Sequence, residues 1–272
     1  AALNEILSAG ADYPRADRVC YELGHALLLE KKPADAASAF EQLATKHPAS
    51  PLAAEAWFLV GSHAETLAEG VEDDAQRSTH LAAAAKAFQA GLTPAKTSQM
   101  QEKLSYKLGD MQFRQQQYQD AAATLKKQLE QFPQGELAGP ARYLAAESCY
   151  HAGELPQALP LFQQVAADKV EKYLDRSLYR VGQCASGAKD WKTAQQGYQQ
   201  LIQQFPEFPQ LNDARYGLAF ALQNQNQHDA AIALYQQVAA ESTGESGAKA
   251  RFMLGSLAFA KKEYDDAIFQ FG

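Results

Sequence analysis

Apolar positions along the chain recur in a fixed order of small and large residues. A Gly or Ala preceded by an apolar residue stands at Gly24, Gly61, Gly109, Ala146, Gly182, Ala219 and Gly255, at spacings of 37, 48, 37, 36, 37 and 36. Twelve residues after these anchors come Ala36, Ala121, Ala158, Ala194, Ala231 and Ala267, with Ala84 in the second unit once 11 extra residues are allowed for. Four residues further on stand Phe40, Phe88, Leu125, Phe162, Tyr198, Tyr235 and Phe271. Between these columns apolar residues return at three- and four-residue steps, which is helical spacing. Each unit therefore predicts two amphipathic helices of about 14 residues, some 20 Å long, joined by a turn. The small residues mark where two helix axes approach closely. The large residue is expected to fill the gap toward the next hairpin, and stacking buries the faces that one hairpin cannot cover alone.

The punctuation agrees with this division. Pro48, Pro133 and Pro206 each lie 24 residues after an anchor, where proline stops the second helix, and Pro51 and Pro209 keep two of the links extended. Asn226, Gly153 and Lys189 fall in turns within hairpins, and the first two residue types tolerate a positive φ. Hairpin follows hairpin without a linker. The expectation is an all-α solenoid over residues 1–272, with 1–16 ending an earlier repeat, about six full repeats, and a last one truncated at 272. Neither end carries a polar cap, so the chain reads as a piece of a longer protein.

These columns resemble the tetratricopeptide repeat. The match rests on Leu23-Gly24, Ala36, Phe40 and Pro48 in the first unit and on Val181-Gly182, Ala194, Tyr198 and Pro206 in the fifth, with seven units in phase. The resemblance implies a superhelix whose first helices line a concave side that binds proteins. The period is two to three residues longer than the family's usual 34, in the style of bacterial cell-envelope members such as outer-membrane assembly lipoproteins and Tol-associated coiled-coil proteins. That style suggests a periplasmic or cell-envelope location. The family's clamp for a C-terminal carboxylate is not met, since the corresponding slots hold Tyr21, His25, Phe58 and Ser62.

Composition narrows the function classes. A net charge of −7 and a pI near 5.4 oppose nucleic-acid binding, which needs a basic face to displace counterions. No apolar run approaches a membrane span. Cys20, Cys149 and Cys184 have no paired spacing and read as small buried hydrophobes. The six histidines fall in different units and columns, and no metal, phosphate-loop or dinucleotide motif is present, so no cofactor or metal is expected. The insertion of the second unit carries Glu65, Glu69, Glu72, Asp73 and Asp74, which predicts a lengthened hairpin with a solvated acidic tip.

One column remains as candidate chemistry. Three residues before each anchor stand Tyr21, Phe58, Tyr106, Tyr143, Tyr179, Tyr216 and Phe252, all aromatic. Such a ladder either stacks on a partner or packs between neighbouring first helices. Beside it lie Lys103 and Lys107 with Arg114, then His151, then Arg176 and Arg180, cations that would steer an acidic segment unless Asp110 and Glu147 neutralise them. The candidate ligand-binding residues are thus Tyr106, Tyr143, Tyr179, Tyr216, Lys103, Lys107, Arg176 and Arg180. The leading expectation is a non-enzymatic scaffold holding a partner peptide or helix. A helical arm of a larger enzyme, as in some cell-wall glycosidases, and a self-associating module are the rival readings.

Overall fold

The computed structural model describes residues 15–271, and all of the described secondary structure is helical. The expected end of an earlier repeat, residues 1–16, lies almost wholly outside them. Among the described residues fourteen α-helices pair into seven antiparallel hairpins. They are α1 (Ala16–Leu29) with α2 (Pro33–Lys46), α3 (Ala53–Glu69) with α4 (Asp74–Leu92), and α5 (Ser98–Arg114) with α6 (Tyr118–Gln131). Next come α7 (Ala138–His151) with α8 (Leu155–Ala167), and α9 (Leu174–Gly187) with α10 (Trp191–Gln204). The last two hairpins are α11 (Leu211–Asn224) with α12 (His228–Glu241), and α13 (Glu245–Ala260) with α14 (Tyr264–Phe271). Residues 1–148 and 149–272 form two compact units, the boundary falling near the end of α7.

The anchors do what their size requires. A Cβ built on Gly24 would lie 2.5 Å from the Phe40 ring, on Gly61 2.5 Å from Phe88, on Gly109 2.5 Å from Leu125, and on Gly182 2.5 Å from Tyr198. The large residue therefore packs on the glycine of its own hairpin as well as toward the next one, where Phe40 joins Ala53 and Ala56. Helix geometry explains this, because the large residue lies one turn beyond the small Ala that lets the two axes close. Tyr198 does both tasks. Its ring tip also reaches Gly217 of the following hairpin, where an added Cβ would stand 2.5 Å from Cζ and 2.8 Å from the hydroxyl.

Seven residues after the anchor the chain turns inside each hairpin. Lys31, Gln116, Gly153, Lys189, Asn226 and Lys262 all hold a positive φ there, between 60° and 78°. The expectation that Asn226 and Gly153 tolerate this conformation extends to Lys189, whose φ is 60°. The helix-end bonds impose it: Lys189 N–H donates to Ser186 and Asp190 N–H to Ala185, a closure that requires a left-handed residue whatever its side chain. The second hairpin alone replaces this turn. There α3 and α4 are lengthened to 17 and 19 residues, and Asp73 caps α4 by accepting from Gln76 N–H at 2.7 Å.

The lengthened hairpin is not simply a solvated tip. Ala68 and Leu81 on it are buried, and the Glu65 side chain, only 13% exposed, meets Lys107 at 2.7 Å and Arg114 at 3.3 Å on α5. The acidic residues beyond it, Glu69, Glu72, Asp73 and Asp74, are exposed as expected.

A second column ties first helices to the links that follow. Asp17 accepts from the Ser50 hydroxyl at 2.6 Å, and that oxygen accepts from Leu52 N–H at 3.2 Å. Two hairpins on, Glu102 in the same column takes Leu137 N–H directly at 2.8 Å, and Gly135 stands where Ser50 stood. One more methylene in Glu replaces the serine bridge, and only glycine leaves room for it. In the second unit the corresponding link residue is Phe208, buried against Tyr179 at 5.3 Å, so an apolar contact does the same work.

Candidate functional site

The candidate residues occupy three positions of a first helix, six, three and two before the anchor. In helical spacing these are i, i+3 and i+4, one face. Lys103, Tyr106 and Lys107 form such a triad on α5, and Arg176, Tyr179 and Arg180 form one on α9. On α11 the triad is Asp213, Tyr216 and Gly217.

The aromatic column packs on its own hairpin. Tyr21 meets Phe40 with ring centres 5.9 Å apart, Phe58 meets Phe88 at 5.9 Å, Tyr179 meets Tyr198 at 6.2 Å, and Tyr216 meets Tyr235 at 5.6 Å. These rings remain half-exposed, and Phe252 on the last hairpin is 61% exposed. Burial pushes the Tyr179 and Tyr216 phenols above their ordinary range. The Tyr21 phenol rises to about 12, through burial and then through its hydrogen bond to Glu55.

A cavity opens on this column in each unit. The first, about 250 Å³, is lined by Phe58, Tyr106 and Leu137 with Lys103, Lys107 and Glu136. The second, about 350 Å³, is lined by Tyr179, Tyr216, Phe220 and Gly217 with Asp213 and Lys249. They are built from the same repeat positions. Phe58 corresponds to Tyr179, Tyr106 to Tyr216, Lys103 to Asp213, Lys107 to Gly217, and Glu136 to Glu245, which also lines the second cavity.

Lys103, Tyr106 and Lys107 are thus brought together, as are Tyr179 and Tyr216. Tyr143, half-buried on α7, lines neither of these two cavities, nor does the exposed Arg176. Arg180 is committed nearby: its guanidinium lies 3.9 Å over the Tyr150 ring and donates to Gln183 at 2.9 Å. Lys107 enters its cavity with its charge met by Glu65, and Arg114 shares that carboxylate. Asp110, beside them, is held above the usual carboxylate range by burial, against the pull of Arg114 and Lys107. Sequence reasoning passed over Asp213, Gly217, Phe220, Leu137 and Lys249. The signal for Asp213 was available, since it stands in the column of Lys103 and Arg176 with the opposite charge.

Among the described residues no group of His, Cys, Asp and Glu is arranged to hold a metal ion, and the three cysteines are buried and form no disulfide. No described helix is long and apolar enough to cross a membrane. A larger cavity of about 500 Å³ lies between α8, α9 and α10, lined by Leu174, Leu178 and Gly197 with Gln163, Gln196 and Gln200. It includes none of the candidate residues.

Family models described as tetratricopeptide repeat match residues 1–69, 106–171 and 216–272, and a second such model matches 176–207. The chain belongs to the tetratricopeptide repeat family. Solved structures agree on the fold of these repeats. YrrB, described as a tetratricopeptide repeat protein with an unusual peptide-binding site, superposes with a TM-score of 0.58 at 15% identity, over 84% of this chain and 99% of its own. Apo RapI gives 0.54 at 17% identity over 98% and 84%. A tetratricopeptide repeat protein of Parabacteroides merdae ATCC 43184 gives 0.52 at 14% identity over 94% and 91%. No curated protein matches the chain. At such identities the likeness is one of fold.

Proposed function

We propose that this tetratricopeptide repeat chain is a non-enzymatic scaffold that holds a peptide or helix of a partner protein against the first-helix face, with its aromatic column as the contact. One observation carries the reading: cavities open at the same repeat positions in both units, each walled by two rings of the column and edged by charged side chains. Half-buried rings fixed edge-on against the hairpin present area at little further entropic cost, which suits them as interface anchors. The peptide-binding site named for YrrB supports the same use of the fold.

The test is a peptide library displayed against the full chain, followed by affinity measurement with Tyr179→Ala/Tyr216→Ala and Phe58→Ala/Tyr106→Ala. The expected result is at least a tenfold loss of affinity in one double variant with helical content by circular dichroism nearly unchanged. Undiminished binding by both folded variants would overturn the reading.

A further inference from the structure

The cavity of the second unit carries a carboxylate with no ion pair among the described residues. Glu245 and Lys249 pair with each other at 2.6 Å on successive turns of α13. Arg180 stacks on Tyr150 and bonds Gln183. The Asp213 carboxylate is exposed and makes no hydrogen bond or ion pair among the described residues. Its charge still reaches the cavity walls: burial first and then Asp213 raise the Tyr179 phenol, and Asp213 adds last, after Glu245 and Tyr216, to the raising of the Lys249 ammonium. Those walls are ring surfaces: Tyr216 and Phe220 stand nearly parallel, 6.5 Å apart at 16°, and the almost fully buried Tyr198 forms the floor beneath Gly217.

Ring faces together with an unpaired carboxylate attract a cation, through the ring quadrupole and through a charge-assisted hydrogen bond. We propose that this cavity takes an arginine or lysine side chain of the partner, its cationic head over the tyrosine rings and Asp213 as its counter-charge. The volume, about 350 Å³, has room for one long side chain. Arginine is preferred, because a planar guanidinium stacks and bonds together, as Arg180 does on Tyr150. The first unit supplies an internal contrast. Lys103 fills the position of Asp213 there, so the equivalent cavity presents a cation where this one presents a carboxylate.

The inference rests on the scaffold reading, and its test is separable from that one. Backbone-amide NMR of the full chain would be followed while acetyl-Ala-Arg-Ala amide is added, then its citrulline and glutamate counterparts. The expected result is saturable shifts at Gly217 and its neighbours with the arginine peptide, in a range of about 1 to 10 mM. The citrulline peptide, isosteric but neutral, should bind about fivefold more weakly or less, and the glutamate peptide should leave Gly217 unmoved. Asp213→Asn should erase the preference for arginine over citrulline. Equal response to arginine and citrulline, a preference that survives Asp213→Asn, or no saturable shift at Gly217 would each overturn the inference. Library peptides that still depend on Tyr179 and Tyr216 would in that case leave the scaffold reading standing.

Discussion

The two cavities use the same repeat positions and offer opposite surroundings. In the first unit, Lys103 and Lys107 edge a pocket walled by Phe58, Tyr106 and Leu137, and Lys107 is neutralised by Glu65 from the lengthened hairpin. In the second, Asp213 and Gly217 take those positions, and Tyr198 reaches through beneath Gly217. The comparison teaches that a helical repeat separates two tasks. The small and large columns set the hairpin, because every unit must bring two axes together. The positions six and two before the anchor are free of that duty and can invert charge or vanish to glycine without altering the hairpin. The same contrast holds at two interior positions. Where the first unit has Asp17 with Ser50, and Glu102 with Leu137, the equivalent link of the second unit has Phe208. Where the third hairpin has Gln128, 1% exposed with neither amide atom hydrogen-bonded, the fifth has Leu201.

The largest expected effect separates the two anchor glycines. Gly182→Ala drives a Cβ into a Tyr198 ring already braced by Gly217, and such overpacking costs about 1 to 3 kcal/mol. Gly109→Ala meets Leu125 Cγ at 2.5 Å, an aliphatic group with more rotameric freedom than a ring held between two glycines, so its cost is smaller, and alanine's helix propensity of about 1 kcal/mol offsets both. Denaturant unfolding of both variants checks this, and equal losses would break the contrast. Gln128→Leu should act in the other direction, stabilising by about 1 to 2 kcal/mol, because it relieves an unpaired buried amide and installs the side chain found at Leu201. Unchanged or lower stability would show that the amide is held by something the packing does not reveal.

Ion pairs should divide the units more gently. Glu65→Gln removes the partner of Lys107 and Arg114, whose side chains are 30% and 28% exposed, and should cost about 1 kcal/mol, less in high salt. Glu245→Gln breaks only a surface pair and should leave the unfolding midpoint unmoved. The smallest effect is acid-dependent. The Ser50 hydroxyl holds the Asp17 carboxyl below its ordinary 3.8, so the stability it adds is fully present at neutral pH and is lost as pH falls through the folded-state value. Asp110 behaves oppositely, because burial raises its folded-state value and stability is regained as pH falls through it. Ser50→Ala should flatten the acid-side loss, and an unchanged profile of stability between neutral and strongly acid pH would remove Asp17 from the account.

The hairpins could be read from the chain because their information is local. An anchor and its large partner, such as Gly24 and Phe40, lie 16 residues apart and recur in phase, so size alone reports which positions face one another. The turns were only partly readable. Asn226 and Gly153 announce a left-handed residue, whereas Lys189 and Lys31 adopt it because the helix-end hydrogen bonds demand it. The candidate face was visible as a column of rings, but not its division into two cavities or the packing of each ring on its own hairpin.

What the sequence determined by itself is the repeat: the number and order of hairpins, the close approach at each glycine, and the aromatic column on the first helices. Periodicity encodes these, since each depends on contacts that every unit repeats. Only the tertiary structure decided which charges remain available. Glu65 and Lys107 are 42 residues apart and meet only because the lengthened second hairpin lies against α5. Asp213, on the wall of a cavity between α9, α11 and α13, is left without an ion pair among the described residues. Pairing of charges depends on distances between side chains on different hairpins, and no column in the sequence records those distances.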